Sequence, residues 1–306
     1  MDRLNAMKAF IRCVERGSFS AVARELETTQ PTISKLIASL ERHLGGKLFA
    51  RSARELSLTA EGQRFYEQCR PIVDAVRNAE VSFRSGREEV AGRLRAATSV
   101  SFGRTQVMPR LGAFMRAHPL LRVDLQLNDR FVDLVEEGID VAFRIGELTH
   151  DNLLARRVGT TYRVTVATSD YLKRHGRPRH PDELKQHDCI LYTGLATRDE
   201  WRYVRDGQSF SVRVSGSFRS NSAEAVRAAA LDGMGIAFAP LWLFGDDIRA
   251  RRIRAILVDY PPKPLPIHAV SPTVRRHSAK IKAWVDFFHA AFDADPFVSA
   301  SEPPTR

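Results

Sequence analysis

The sequence predicts a mixed fold: an all-α winged helix-turn-helix at the N-terminus, a long linker helix, then an α/β region of two lobes. Three observations carry this. A short helical pattern is followed by a Pro-started, Gly-stopped one within the first 46 residues. An apolar seam then runs from Phe65 to Phe83 at close to 3.5-residue spacing. From Gly92 onward, short apolar runs alternate with amphipathic ones, the β-α order of an open sheet.

Bulk properties agree with several domains and a polyanionic partner. The chain has 306 residues, 43% of them hydrophobic, and a formal charge of +11. Such a charge favours nucleic acid first and anionic membrane second, although a basic enzyme would show it too. Cys13, Cys69 and Cys189 are odd in number and far apart, so no disulfide framework is expected. The first ten residues lack the apolar core of a secretory signal, and no apolar run approaches the about 18 to 20 residues of a membrane helix. The expected setting is soluble, reducing and cytoplasmic, with no membrane partner.

The first helix is marked by Leu4, Met7, Ala9, Phe10, Cys13 and Val14 on one face and is stopped by Gly17. Ser18 can cap a short second helix over about 20–26. Thr29 can cap a third, from about Gln30 to His43, with Pro31 in the first turn where a missing N–H does no harm. Ile33, Leu36, Ile37, Leu40 and Leu44 form its apolar stripe, and Gly45-Gly46 ends it. The opposite face carries Gln30, Thr32, Ser34, Lys35 and Ser39, suited to base edges and phosphates. An ordinary solvated face would also look like this.

The segment that follows changes that balance. Leu48, Leu56 and Leu58 suit two short strands around a basic turn with Arg51 and Arg54, a wing able to reach phosphates or a minor groove. Residues 1–59 hold ten basic and six acidic side chains. Thr59 then caps the long helix. Its seam (Phe65, Tyr66, Cys69, Ile72, Val73, Val76, Ala79 and Phe83) would serve either a helix packed on its own domain or a pair between subunits. The pair is favoured, because a DNA-binding unit gains from two-fold symmetry. Ser85 to Gly92 reads as a hinge.

The run from Gly17 to Leu26, then Thr29-Gln30-Pro31-Thr32-Ile33-Ser34-Lys35, Leu40-Glu41, Leu44-Gly45, Leu48-Phe49, Arg51, Arg54, Leu58-Thr59 and Gly62, resembles the LysR-type transcriptional regulators. Lys35 stands where many members carry arginine, which keeps the charge but loses a bidentate fork. The resemblance implies double-stranded DNA as partner, contacted by Ser18, Ser20, Thr29, Gln30, Pro31, Thr32, Ser34, Lys35, Arg51 and Arg54. It implies a homodimer or a dimer of dimers (a homotetramer), with RNA polymerase as a further candidate partner. It also implies a two-lobed, periplasmic-binding-protein-like effector domain with a small molecule in its cleft. The expected layout is 1–59 for the DNA-binding domain, 60–91 for the linker helix and hinge, and 92–300 for the effector domain. Lobe I takes 92–163 and 269–293, and lobe II takes 164–268.

Within that domain, strands are expected at 94–100, 123–127 and 141–145, with helices at about 105–117 and 131–137, in a parallel first sheet, and a strand at 164–168 leaves it for the second lobe. Further strands fall at 189–192, 201–204, 210–214 and 236–239, with a helix at about 223–232. His268 to Ser271 crosses back, a last helix covers about 275–292, and the polar tail from Asp293 is expected to fray. Ligands in open α/β sheets bind beyond the carboxyl ends of strands. Thr98, Ser99, Ser101 and Phe102 lie there in one lobe, and Ser220, Asn221 and Ser222 in the other, each before a helix start suited to an anion. Asn128, Arg144 and Gly146 would complete the wall. Each serine would serve equally as a plain N-cap, and Arg144 as a salt-bridge residue.

Rival classes find less support. The chain has neither a phosphate-binding G-x-x-x-x-G-K-[ST] loop nor a G-x-S-x-G elbow, so no catalytic residues and no cofactor are expected. His175, His180, His187 and Cys189 match no standard zinc spacing, so no metal is expected. A solute-binding module would not carry a helix-turn-helix. A non-specific architectural DNA binder is separable by its affinity for random DNA.

Overall fold

The computed structural model describes residues 2–50, 56–85, 90–130, 133–148, 153–194, 199–273 and 278–299. Two compact units emerge, Met1–Gly92 and Arg93–Arg306.

The first unit holds α1 (Arg3–Arg16), α2 (Phe19–Glu25), α3 (Gln30–Leu44) and α4 (Ala60–Ser85). Their ends follow the expected caps. The Ser18 side chain accepts from the Ala21 N–H, Thr29 from the Thr32 N–H, and Thr59 from the Gly62 N–H. Gly17 and Gly45 end α1 and α3 at φ 63° and 73°, backbone that favours glycine. The core joins Phe10, Val22, Ile33, Ile37, Leu40 and Leu48, and the Phe10 ring meets Phe49 edge-on at 5.4 Å. Two arms of a wing are present. Phe49 bridges Leu58 antiparallel, and the Ala50 N–H donates to the Ser57 carbonyl at 2.8 Å. The wing turn, with Arg51 and Arg54, lies outside the described residues.

The seam of α4 is divided. Phe65, Tyr66, Cys69 and Val73 pack on their own domain's core, which leaves Ile72 exposed on the helix. Apolar spacing alone cannot say which surface a stripe meets. Here α1 offers Phe10, whose ring sits 5.6 Å from that of Phe65. The side chains of Ala79 and Phe83 lie outside the described residues.

Glu41 on α3 is buried, and its carboxylate holds the wing in place. It accepts from the Leu48 N–H at 3.0 Å, the Phe49 N–H at 3.5 Å and Lys47 Nζ at 2.6 Å. Burial alone would raise the Glu41 pKa, but Lys47 and the two N–H groups outweigh it and hold it below its ordinary value.

The second unit has two five-stranded sheets. Its elements are β1 (Gly92–Thr98), α5 (Val100–Phe102), a π turn (Gly103–Val107), α6 (Met108–Ala117), β2 (Leu121–Leu127), β3 (Val141–Ile145) and β4 (Leu153–Thr161). They continue with β5 (Arg163–Ala167), α7 (Ser169–His175), a 3₁₀ turn (Pro181–Gln186), β6 (Cys189–Tyr192), β7 (Glu200–Arg205), β8 (Gln208–Arg213) and β9 (Arg219–Ser220). The rest are α8 (Ala223–Leu231), β10 (Ile236–Pro240), α9 (Leu241–Arg249), β11 (Arg254–Ile256), β12 (Leu265–Pro272) and α10 (Ala279–Asp293). The first sheet runs β2-β1-β3-β12-β4 and the second β11-β5-β10-β6-β9; β7 and β8 form a separate hairpin.

Several expectations need correction. The first sheet is mixed: β1 and β3 are parallel, but β12 runs antiparallel to both β3 and β4. The unexpected β4 carries Arg156 and Arg157 in its middle, which masks strand periodicity. Residues 133–138 make one turn, not a helix; it is closed by the Gly138 N–H on the Val135 carbonyl, with Gly138 at φ 65°. The helix expected at 105 begins at Val100, because burial overrides the weak propensity of its Ser, Val and Gly residues. Arg163 already belongs to the second sheet, and β12 starts at Leu265, not at 269. Pro261, Pro262, Pro264 and Pro266 hide that strand start. Finally, the tail is docked as far as Ser299. The Thr160 N–H donates to the Val298 carbonyl at 2.6 Å, Val298 is fully buried, and Asp295 pairs with Arg110.

Glu41→Ala should destabilise the first unit by about 1–3 kcal/mol at neutral pH, the cost of leaving buried N–H groups unanswered. The pKa of this carboxylate is depressed in the folded state, so its contribution is full above the ordinary value of 4.5 and fades as pH falls through the lower folded value. The gap in melting temperature between wild type and variant should therefore be wide at pH 7 and close in acid. A gap independent of pH would remove the charge from the explanation.

Candidate functional site

Two surfaces offer chemistry, one in each unit. In the first, the start of α3 is exposed to solvent beside α2. Gln30, Pro31, Thr32 and Lys35 are exposed, while Ile33, Ile37 and Leu40 are buried. Ser20 Oγ donates to Gln30 Oε1 at 3.1 Å, which leaves the Gln30 amide N–H groups facing outward as donors. The Thr29 and Thr32 hydroxyls meet at 2.9 Å. Ser18 and Thr29 are caps first, with an oxygen on a backbone N–H; Ser34 is half-buried. The first turn of α3 carries no acidic residue, so its positive dipole end is unopposed. Arg12 and Arg16 are tied to Glu25, and Lys47 to Glu41, whereas Lys35 has no ion-pair partner among the described residues.

In the second unit a cavity of about 620 Å³ lies between the two sheets. Thr98, Ser99, Asn128, Arg144 and Gly146 line it, as expected from strand ends. Five other expected residues do not. Ser101 and Phe102 are buried inside the helix that starts at Val100, and Phe102 packs edge-on against Trp242 at 5.3 Å. Ser220, Asn221 and Ser222 do not line the cavity: Asn221 is exposed, Ser220 Oγ accepts from the Ser222 N–H, and Ser222 Oγ from the Ala225 N–H.

The helix starts are thus not free for an anion. Asp129 Oδ1 takes the Val100 N–H at 3.0 Å, which puts a carboxylate where an anionic ligand was expected. Four arginines line the cavity, Arg130, Arg144, Arg163 and Arg202; Arg163 is the first residue of β5, with Arg202 of β7 nearby. Burial, and then the charge of Arg202, lower the Arg163 pKa from its ordinary value. Its guanidinium lies over the Phe238 ring at 5.7 Å, and Phe238 stacks on Trp201 at 5.3 Å. Arg144, half-buried, is pulled down by burial and partly restored by Asp133. Arg163, Tyr192, Trp201, Arg202, Phe238 and Trp242 were not foreseen. The signal in the sequence was Arg163 itself, a charge that opens an otherwise uncharged, mostly apolar strand.

Other chemistry is quieter. The three thiols are buried, and burial pushes each up to about 12, far from the reactive thiolate. Tyr171 stacks on His175 at 4.6 Å and its hydroxyl meets His187 Nδ1 at 3.4 Å. Among the described residues no His, Cys, Asp and Glu group is arranged to hold a metal, and no helix is long and apolar enough to cross a membrane.

Known proteins share both units. Residues 4–63 match the family described as bacterial regulatory helix-turn-helix protein, lysR family, and residues 87–293 match the LysR substrate binding domain. The Escherichia coli regulator DmlR is 33% identical over 293 residues, covering 94% of each chain. An uncharacterised helix-turn-helix regulator of Haemophilus influenzae is 32% identical over 277 residues, covering 90% of this chain and 96% of its own. The solved structure of CrgA, a LysR-type regulator from Neisseria meningitidis, superposes with a TM-score of 0.62 at 27% identity, over 94% of this chain and 98% of that one. Regulators of this kind join a DNA-binding helix-turn-helix to an effector-binding domain, form oligomers and are not in general enzymes. The chain belongs to the LysR family of bacterial transcriptional regulators.

Proposed function

We propose that the chain grips double-stranded promoter DNA as a homodimer or a dimer of dimers, and that a small anionic effector in the cleft alters the grip. The observation that carries the DNA half is the division of α3. Its apolar stripe is buried, and its first turn offers Gln30, Thr32 and Lys35 to solvent with no acidic neighbour. Ser18, Ser20, Thr29, Pro31 and Ser34 shape that end, and Arg51 and Arg54 are proposed contacts of the wing. Gln30 suits adenine, Lys35 a phosphate or guanine, and the helix start a phosphate. A two-fold assembly would read a pseudo-palindromic site. The cytoplasm is the expected setting, and RNA polymerase the expected further partner at promoters.

For the effector half, Arg104 and Glu224 supply a link between the lobes. Arg104 lies in the π turn after β1 and α5, and Glu224 next to Ala223, which lines the cavity. Their bonds are bidentate, with Arg104 Nη2 at 2.9 Å from both Glu224 oxygens. An effector that changes the distance between lobes would act on this pair. It regulates DNA binding only if it binds the two arrangements with different affinity.

Lys35→Ala should weaken operator binding and lower the slope of log K against log salt by about one unit, read by fluorescence anisotropy over a salt series. An unchanged slope removes Lys35 from the phosphate contacts. Arg104→Ala should speed hydrogen exchange in the first turn of α8 by about three- to fivefold, as expected for a partly exposed pair worth up to ~1 kcal/mol. Exchange at the wild-type rate would show that the pair does not hold the lobes together.

A further inference from the structure

Arg163 is out of keeping with its surroundings. Of the four arginines that line the cavity, Arg130 and Arg202 are exposed, and Arg202 also reaches Glu200 at 3.5 Å. Arg144 has partners of its own. Arg163 is only partly exposed, and among the described residues it has no carboxylate and no hydrogen-bond acceptor, only the face of Phe238. A guanidinium withdrawn from water without a counter-ion is costly, and folds keep one only where something else compensates. The acids on the cavity wall do not compensate it. Asp129 is held by the Val100 N–H, Glu200 faces Arg202, and Glu147 is exposed to water.

Two further polar atoms point the same way. Thr98 and Trp242 both line the cavity, and Thr98 Oγ1 and Trp242 Nε1 are buried without partners. An indole N–H can only donate, and a threonine hydroxyl can donate. Both are thus donors without an acceptor beside Arg163, a third group that can only donate. The rest of the wall near Arg163 is flat and apolar, formed by Phe238 and Trp201 stacked at 28°.

We propose that Arg163 is the anion anchor of the cleft, and that the effector is a small carboxylate with a flat apolar body lying against Phe238 and Trp201. The anchor role rests on the cleft being the effector site. It differs from the helix-start sites expected from the sequence, where Asp129 at α5 and Ser222 at α8 each already take an N–H.

The test uses the full-length protein with benzoate and 2-naphthoate as probes, their primary amides as neutral isosteres, and acetate and phosphate as bare anions. Titration calorimetry should show the aryl carboxylates binding about 10- to 100-fold more tightly than the amides, the span of a charge-assisted hydrogen bond. Arg163→Met should bring carboxylates down to the level of the amides. The same variant should raise the melting temperature of the ligand-free protein by about 2–4 °C, since it removes a half-buried charge with no counter-ion among the described residues. A merely structural arginine would lower it, and that result overturns the anchor. Undiminished carboxylate binding by Arg163→Met overturns it too. Failure of both aryl carboxylates to bind, or equal binding of acetate or phosphate, overturns the ligand class. If binding depends on Arg163 but operator affinity ignores the bound carboxylate, the anchor is upheld and control through the cleft is what fails.

Discussion

A helix start leaves backbone N–H groups without partners, and this chain answers them with its own side chains. Ser18, Thr29, Thr59, Thr168 and Ser222 each give an oxygen to an N–H at the first turn, and Asp129 reaches across from the end of β2 to the start of α5. That requirement organises both units. In the first it fixes the entry angles of α2, α3 and α4, and hence where the exposed turn of α3 stands. In the second it decides which polar groups remain for a ligand. A hydroxyl that caps a helix has little left to offer a guest, so the uncapped groups define the cleft.

Glu41 performs the same service for a β element. Two strand N–H groups and Lys47 converge on one buried carboxylate, and the wing is hung on α3 by it. The close approach of Gly62 to the Leu48 carbonyl completes the joint; a Cβ there would strike that backbone oxygen. The recognition helix and the wing are thus rigidly related through Glu41 and the first turn of α4. A surface that must match the repeat of DNA needs this kind of fixed geometry.

The first unit was nearly all legible in the sequence, because its signals are local. Caps, a proline in the first turn, terminating glycines and a 3.6-residue stripe each act over a few residues. What was not legible is the partner of an apolar stripe. Phe65, Tyr66, Cys69 and Val73 turn inward because α1 presents Phe10, a fact about tertiary packing. The second unit was legible in most of its strands and obscured in two. The edge strand β4 hides behind Arg156 and Arg157, and the start of the interior strand β12 behind four prolines. A cavity lies at the strand ends, and five of the ten residues expected at the site line it while the other five do not. The serines of α5 and α8 carry the same local pattern whether they hold a ligand or a backbone N–H, and only the fold distinguishes the two.

Unpartnered cations occur in both units, and their weight as indications of function differs. Lys35 is exposed, so water solvates its ammonium at no cost, and its lack of an ion pair is ordinary for a surface lysine. Its position at the start of α3 gives it meaning, not its solitude. Arg163 is the reverse case. Its position at the head of an apolar strand is unremarked by any motif, but the surrounding wall withdraws it from water and supplies only an aromatic face. A cation–π contact recovers about 0.5–2 kcal/mol, less than the several kcal/mol that desolvation costs an ion. An anion set against Arg163 would supply the counter-charge that the described wall lacks, and that is the physical premise of the anchor.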